Sequence, residues 1–136
     1  MRNACIYSLA ITLVIGSAGF ASGGEACSNK TLHGSYILSA NGIDKMPIAE
    51  AGMVVYDGAG NVLFKGKYAS KSEISLKGTY KVEENCRGEV TYEDGRTVTL
   101  FIAPSGDEIS WVVTSGPILA SNSRRVSKKD LIGMRP

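Results

Sequence analysis

A six-residue phrase occurs twice in this 136-residue chain, as Thr31-Leu32-His33-Gly34-Ser35-Tyr36 and as Ser75-Leu76-Lys77-Gly78-Thr79-Tyr80. In each copy Leu, Gly and Tyr stand on alternate positions, so an extended strand turns all three to one face. The glycine leaves room on that face while the Leu and Tyr bury area there. Beyond its first residues the chain carries no convincing helical pattern. Two strands of one design in such a chain imply a small β-barrel or sandwich. They name no reaction.

The first residues read as a leader rather than as part of the fold. Arg2 supplies a positive charge, Ile6 to Ile15 is apolar apart from Ser8 and Thr12, and Gly19-Phe20-Ala21 precedes Ser22. That is the layout of a secretory signal peptide over residues 1–21. An uncleaved anchor needs about 20 apolar residues, and this stretch is interrupted and ends in Gly and Ser. A lipid anchor is not indicated, because Gly24-Glu25-Ala26 before Cys27 lacks the usual apolar residue. The expected location is periplasmic or secreted, with no stable membrane insertion after cleavage.

Cleavage changes the cysteine count. Cys5 leaves with the signal, and Cys27 and Cys86 remain as an even pair in an oxidising compartment, where a disulfide is expected. A redox pair prefers closer spacing, and two thiols with one His, His33, make a poor metal set. No metal and no cofactor are assigned.

The mature chain is about 115 residues, enough for one domain with a real core and too few for two. We assign residues 22–126 to a single barrel domain and 127–136 to a basic C-terminal tail. The formal net charge of +2 falls to about +1 without Arg2, so no strong field selects nucleic acid. Arg124, Arg125, Lys128, Lys129 and Arg135 outnumber Asp130 near the C-terminus. This basic run reads as a solvated segment, with contact to an anionic envelope surface as the alternative.

Glycine and acidic turns punctuate what remains. Asp57-Gly58-Ala59-Gly60-Asn61, Glu93-Asp94-Gly95, Pro104-Ser105-Gly106-Asp107 and Ser115-Gly116-Pro117 separate short apolar-alternating runs. With the two repeat strands, near 32–40 and 74–83, the count is eight. Hairpin spacing this regular predicts an antiparallel meander. Ile74, Leu76, Gly78, Tyr80 and Val82 oppose Glu73, Ser75, Lys77, Thr79 and Lys81; Val62, Phe64, Gly66 and Tyr68 oppose Lys65 and Lys67. Ile109, Trp111 and Val113 complete the pattern with the single Trp. Eight strands with one apolar face each bury those faces by closing into an all-β barrel without edges. A two-sheet sandwich is the runner-up.

The run from Cys27 to Tyr36, the turn Asp57-Gly58-Ala59-Gly60-Asn61, and Leu76 to Val82 followed by Cys86-Arg87-Gly88 resemble a group of small exported bacterial proteins of unassigned activity. More loosely, Gly34-Ser35-Tyr36 is similar to the Gly-x-Trp opening of calycin barrels, with Tyr in place of Trp. That resemblance implies a basic residue in a late strand lying across the opening aromatic, which matches Arg124 or Arg125. Allene-oxide-cyclase-like barrels share the eight-stranded plan.

No catalytic residue is assigned. His33 falls on the polar face by alternation and reads as exposed, and nothing near Ser35 or Ser39 resembles a nucleophile turn. Asp57, Asp94 and Asp107 brace turns. Asp44 and Glu50 flank Met46-Pro47 in an expected loop and read as solvated rather than as an acid/base pair. The inward faces read from alternation hold no carboxylate. They do hold Tyr36, Phe64, Tyr80 and Trp111, beside Gly34, Gly66 and Gly78. Such an interior either packs solid or holds one small ligand.

Three function classes follow. The first is a binding protein for a small apolar or aromatic molecule, lined by Tyr36, Phe64, Tyr80 and Trp111. The second is a protein-binding module or protease inhibitor using its N-terminal segment and mouth loops. The third is a cofactor-free cyclase or isomerase, which needs an inward carboxylate.

Overall fold

A computed structural model describes residues 26–69 and 73–134; the expected signal peptide, Cys5 and Arg135 lie outside them. After a short 3-10 turn at Asn29–Thr31, eight strands follow. They are β1 (His33–Asp44), β2 (Met46–Asp57), β3 (Asn61–Tyr68), β4 (Glu73–Val82), β5 (Arg87–Tyr92), β6 (Thr97–Ile102), β7 (Glu108–Ser115) and β8 (Ile118–Ser127). Each pairs antiparallel with the next, and β1 pairs with β8, so the meander closes into a barrel. The fold read from alternation is found; the sandwich is not.

Alternation works because each strand has one face with nowhere else to go. Tyr36, Val54, Tyr56, Val62, Phe64, Tyr80, Val90, Leu100, Ile109, Trp111 and Leu119 form one continuous buried cluster inside. At one end Tyr56 sits between Tyr36 and Tyr80 in edge-to-face contacts, with ring centroids 5.4 and 5.0 Å apart. Such pairs add roughly 0.5–1.5 kcal/mol beyond the area they bury. Both outer hydroxyls of the trio are satisfied by backbone. Tyr36 donates to the Gly106 carbonyl at 2.6 Å, and the Tyr80 hydroxyl lies 2.8 Å from the Leu32 carbonyl and 2.9 Å from that of Asn29.

The two copies of the phrase play parallel parts with one difference. A Cβ on Gly78 would run into the Thr91 carbonyl of β5, and one on Gly34 into the Ser127 carbonyl of β8. Both glycines therefore let a neighbouring backbone approach closely. Gly34 alone has a left-handed φ of 94°, beside the irregularity where β1 changes register against β8.

Two expectations are corrected. The expected loop around Met46-Pro47 is strand: β1 and β2 pair through to Asp44 and Met46, and Lys45, at φ 59°, makes the turn. The inward glycines do not leave volume. The Phe64 ring lies where a side chain on Gly52 or Gly66 would stand, and the β5 backbone closes the space at Gly78. The basic run at the C-terminus keeps Arg124, Lys128 and Lys129 exposed, as a solvated run does, while its backbone beyond β8 is docked on the barrel. Its backbone accepts from the Ser35 hydroxyl at Lys129, donates back to that hydroxyl from Leu131, and accepts from Lys65 Nζ at Ile132. Asp130 braces the turn by accepting from the Ile132 and Gly133 amides. Ser35, Val55 and Leu63, adjacent across β1, β2 and β3 on the outer face, are buried.

Cys27 and Cys86 form the expected disulfide, 59 residues apart in sequence with Cα atoms 4.9 Å apart. It ties the segment before β1 to the β4–β5 turn, and Cys27 also donates its amide to the Glu84 carbonyl at 3.2 Å. Thiol titration of the denatured, unreduced mature protein is expected to find no free thiol, and two thiols would contradict this. Reduction is expected to lower stability by about 4 kcal/mol on the chain-entropy model.

The glycine packing predicts a second outcome. Gly78→Val is expected to lower the denaturant midpoint by the equivalent of about 1–3 kcal/mol, because the Cβ displaces backbone rather than side chain. An unchanged midpoint would contradict the close approach of β5.

Candidate functional site

A barrel has two ends, and in this chain each carries an arginine laid over a tyrosine. At the end closed by the 3-10 turn, the Arg125 guanidinium lies 5.5 Å from the centroid of the Tyr36 ring. It donates to the carbonyls of Ser105 at 2.8 Å and His33 at 3.3 Å, and its Nε lies 3.1 Å from Asp107 Oδ1. Arg125 is thus the late-strand basic residue that lies across the opening aromatic, while Arg124 is exposed. His33 is half-buried rather than exposed, with Nδ1 3.2 Å from the Lys30 carbonyl. Burial pushes the Tyr36 hydroxyl up to about 12, against the lowering effect of Arg125, so it stays a neutral donor. This end is a latch.

The opposite end is different in kind. Arg96, just before β6, reaches across the mouth: its stem passes Gly116 of the β7–β8 turn, and its guanidinium lies 5.9 Å from the Tyr68 ring centroid. It also donates to the Tyr68 hydroxyl. Its Nη1 stands 3.6 Å from Glu50 Oε2, and its Nη2 3.8 Å from Asp94 Oδ2. Both ion-pair distances exceed a hydrogen bond. Glu50 is 5 % exposed, on the inward face of β2 opposite Tyr68 of β3. The inward carboxylate excluded on alternation therefore exists. Placing Glu50 in the expected loop around Met46-Pro47 hid it; continuing the two-residue period back from Tyr56, Val54 and Gly52 lands on Glu50.

Beside this pair is a void of about 30 Å³. Glu50, Arg96 and Tyr92 line it with Leu38, Phe64, Trp111 and other apolar side chains. It has room for about one water, which needs some 10–15 Å³ of its own. Two buried atoms of its lining residues, Glu50 Oε2 and Arg96 Nε, have no hydrogen-bond partner. Of the four residues expected to line a lumen, Phe64 and Trp111 are at this void. Tyr36 and Tyr80 belong to the packed trio at the latched end. Trp111 is itself satisfied, its indole N–H donating to Ser123 Oγ at 2.8 Å.

Burial raises the Glu50 pKa above the ordinary 4.5, opposed by Arg96 and by the Tyr68 hydroxyl. Burial works against the Arg96 charge, but the Tyr68 bond and the acidic neighbours outweigh it and hold the guanidinium ionised. Among the described residues no group of three or more His, Cys, Asp or Glu is placed to hold a metal ion. No family model, curated protein or solved structure matches the chain.

Because folding raises the Glu50 pKa, protonation of Glu50 favours the folded state. Its contribution is fully present below the unfolded pKa and is lost as pH rises through the folded one. Carboxyl-carbon NMR is expected to show one glutamate with a midpoint above 4.5, absent in Glu50→Gln. A full set of ordinary midpoints would contradict the burial of this group.

Proposed function

We propose that the chain is an exported binding barrel that takes a small, largely apolar or aromatic molecule through the mouth spanned by Arg96. The observation that carries this is the placement of a buried carboxylate and guanidinium, each with an unpartnered atom, beside a void in an otherwise apolar interior. A buried ion pair is often no better for stability than well-packed apolar residues. Arg125 Nε at the latched end is likewise without a hydrogen-bond partner, but a carboxylate stands 3.1 Å from it. At the mouth the orphaned atoms belong to residues lining a void, which points to a task rather than to folding.

The void alone fits a head group and not a whole ligand, so Arg96 has to swing aside for entry and close back over the seated head group. Its long contacts to Glu50 and Asp94 permit that, and Asp94 is partly exposed and stands ready to keep the guanidinium paired outside. Ile48, Ile74, Leu38 and Val113, partly buried against the core, then supply an apolar wall for the body of the molecule. Phe64 and Trp111 form the floor. Export is supported by the leader and by the disulfide, which suits an oxidising compartment.

A second reading, docking of a protein partner at the same mouth, is favoured by one observation. Ile43, Met46 and Ile118 are 54, 62 and 74 % exposed at the β1–β2 tip and the adjoining start of β8. The cyclase reading gains its inward carboxylate in Glu50, but no substrate-sized space lies beside that carboxylate.

Trp111 separates these. Titration with small apolar and aromatic probes is expected to shift its emission saturably, with a midpoint in the micromolar range on the order of −8 kcal/mol. Arg96→Ala is expected to speed association. A flat response to chemically varied probes would move the assignment to the protein partner.

A further inference from the structure

The charge pair at the mouth says what kind of head group the void accepts. Glu50 and Arg96 neutralise one another, and each keeps one unused buried valence: the Oε2 acceptor of Glu50 and the Nε–H donor of Arg96. A second anion there would meet the Glu50 carboxylate, and a second cation would meet the Arg96 guanidinium, in a space with little water to screen either. A purely apolar head leaves both atoms unsatisfied, at a penalty for each. A neutral group that donates and accepts at once satisfies both. Hydroxyls and primary amides are of this kind, and a void of about 30 Å³ matches a group of that size.

We infer that the ligand enters head-first with a neutral hydroxyl or amide, donating to Glu50 Oε2 and accepting from Arg96 Nε–H. This rests on the binding reading above and narrows its ligand class. The rest of the mouth agrees with the assignment. Tyr68 and Asp94, the other polar groups that touch the Arg96 guanidinium, are engaged on its Nη side, and the remaining lining is mostly aliphatic or aromatic. Carboxylate-headed molecules, such as fatty acids, are excluded while Glu50 is ionised. The ligand class is small alcohols, phenols and amides with an apolar body.

The test uses four probes with one shared body: benzyl alcohol, toluene, benzoate and benzylamine. Each is titrated at neutral pH into the mature, disulfide-bonded protein and followed by Trp111 emission and calorimetry. Benzyl alcohol is expected to bind about tenfold or more tightly than toluene, the worth of one buried hydrogen bond, and than either charged probe. In Glu50→Gln, the preference for the alcohol over toluene is expected to shrink. Equal affinity for benzyl alcohol and toluene would overturn the head-group assignment and leave the binding reading standing. Tightest binding of benzoate would overturn it in favour of an anion seat at Arg96. Failure of all four to bind would overturn both. The four-probe ranking on the native protein decides the matter even if the variant does not fold.

Discussion

Closure of the sheet is the constraint on which everything else here depends. Once β1 pairs with β8, every inward side chain is confined to a space that an eight-stranded barrel can just fill. Edges disappear, but two ends remain, and each exposes the inner ring of side chains to water. The chain closes both with the same device, an arginine laid over a tyrosine. The two copies are held very differently. Arg125 has the backbone carbonyls of His33 and Ser105 and the Asp107 carboxylate around it. Arg96 has a single hydroxyl bond and two ion-pair contacts longer than hydrogen bonds. One end is held by several short contacts; the other holds its guanidinium by fewer and mostly longer ones.

The same confinement explains why the glycines do not hollow the barrel. An inward glycine removes a side chain, but a closed, twisted sheet lets something else move in. At Gly52 and Gly66 it is the ring of Phe64, and at Gly78 it is the backbone of β5. A void of about 30 Å³ lies beside the polar pair, where Glu50 Oε2 and Arg96 Nε have no hydrogen-bond partner. On the outside, the tail hydrogen-bonds to Ser35, which pairs with Val55 beside Leu63, and this outward strip is buried.

How much was legible follows from which signals are local. Alternation is local, so the eight strands, their inward faces and the closed meander could be read from the chain, as could the disulfide from an even cysteine count. The repeat phrase located Tyr36 and Tyr80 correctly on the inner face, and both are buried. Glu50 was misplaced because Pro47 and the acidic residues around it look like loop, whereas pairing with β1 extends β2 through them. Arg96 was missed because it follows a turn, and nothing in the sequence says that its side chain folds back over the mouth. Ser35 sits on the polar face by alternation and is buried anyway, since the tail that covers it is distant in sequence. Long-range contact, not propensity, decided each of these.

The functional reading rests on Glu50 and Arg96 facing a void at the mouth. A crystal structure at a resolution that shows ordered waters tests it most directly. It is predicted to show Glu50 inside the barrel with a water or a ligand head group within hydrogen-bond distance of both Glu50 Oε2 and Arg96 Nε. Glu50 turned out to solvent, with apolar side chains closed over the void, would contradict it.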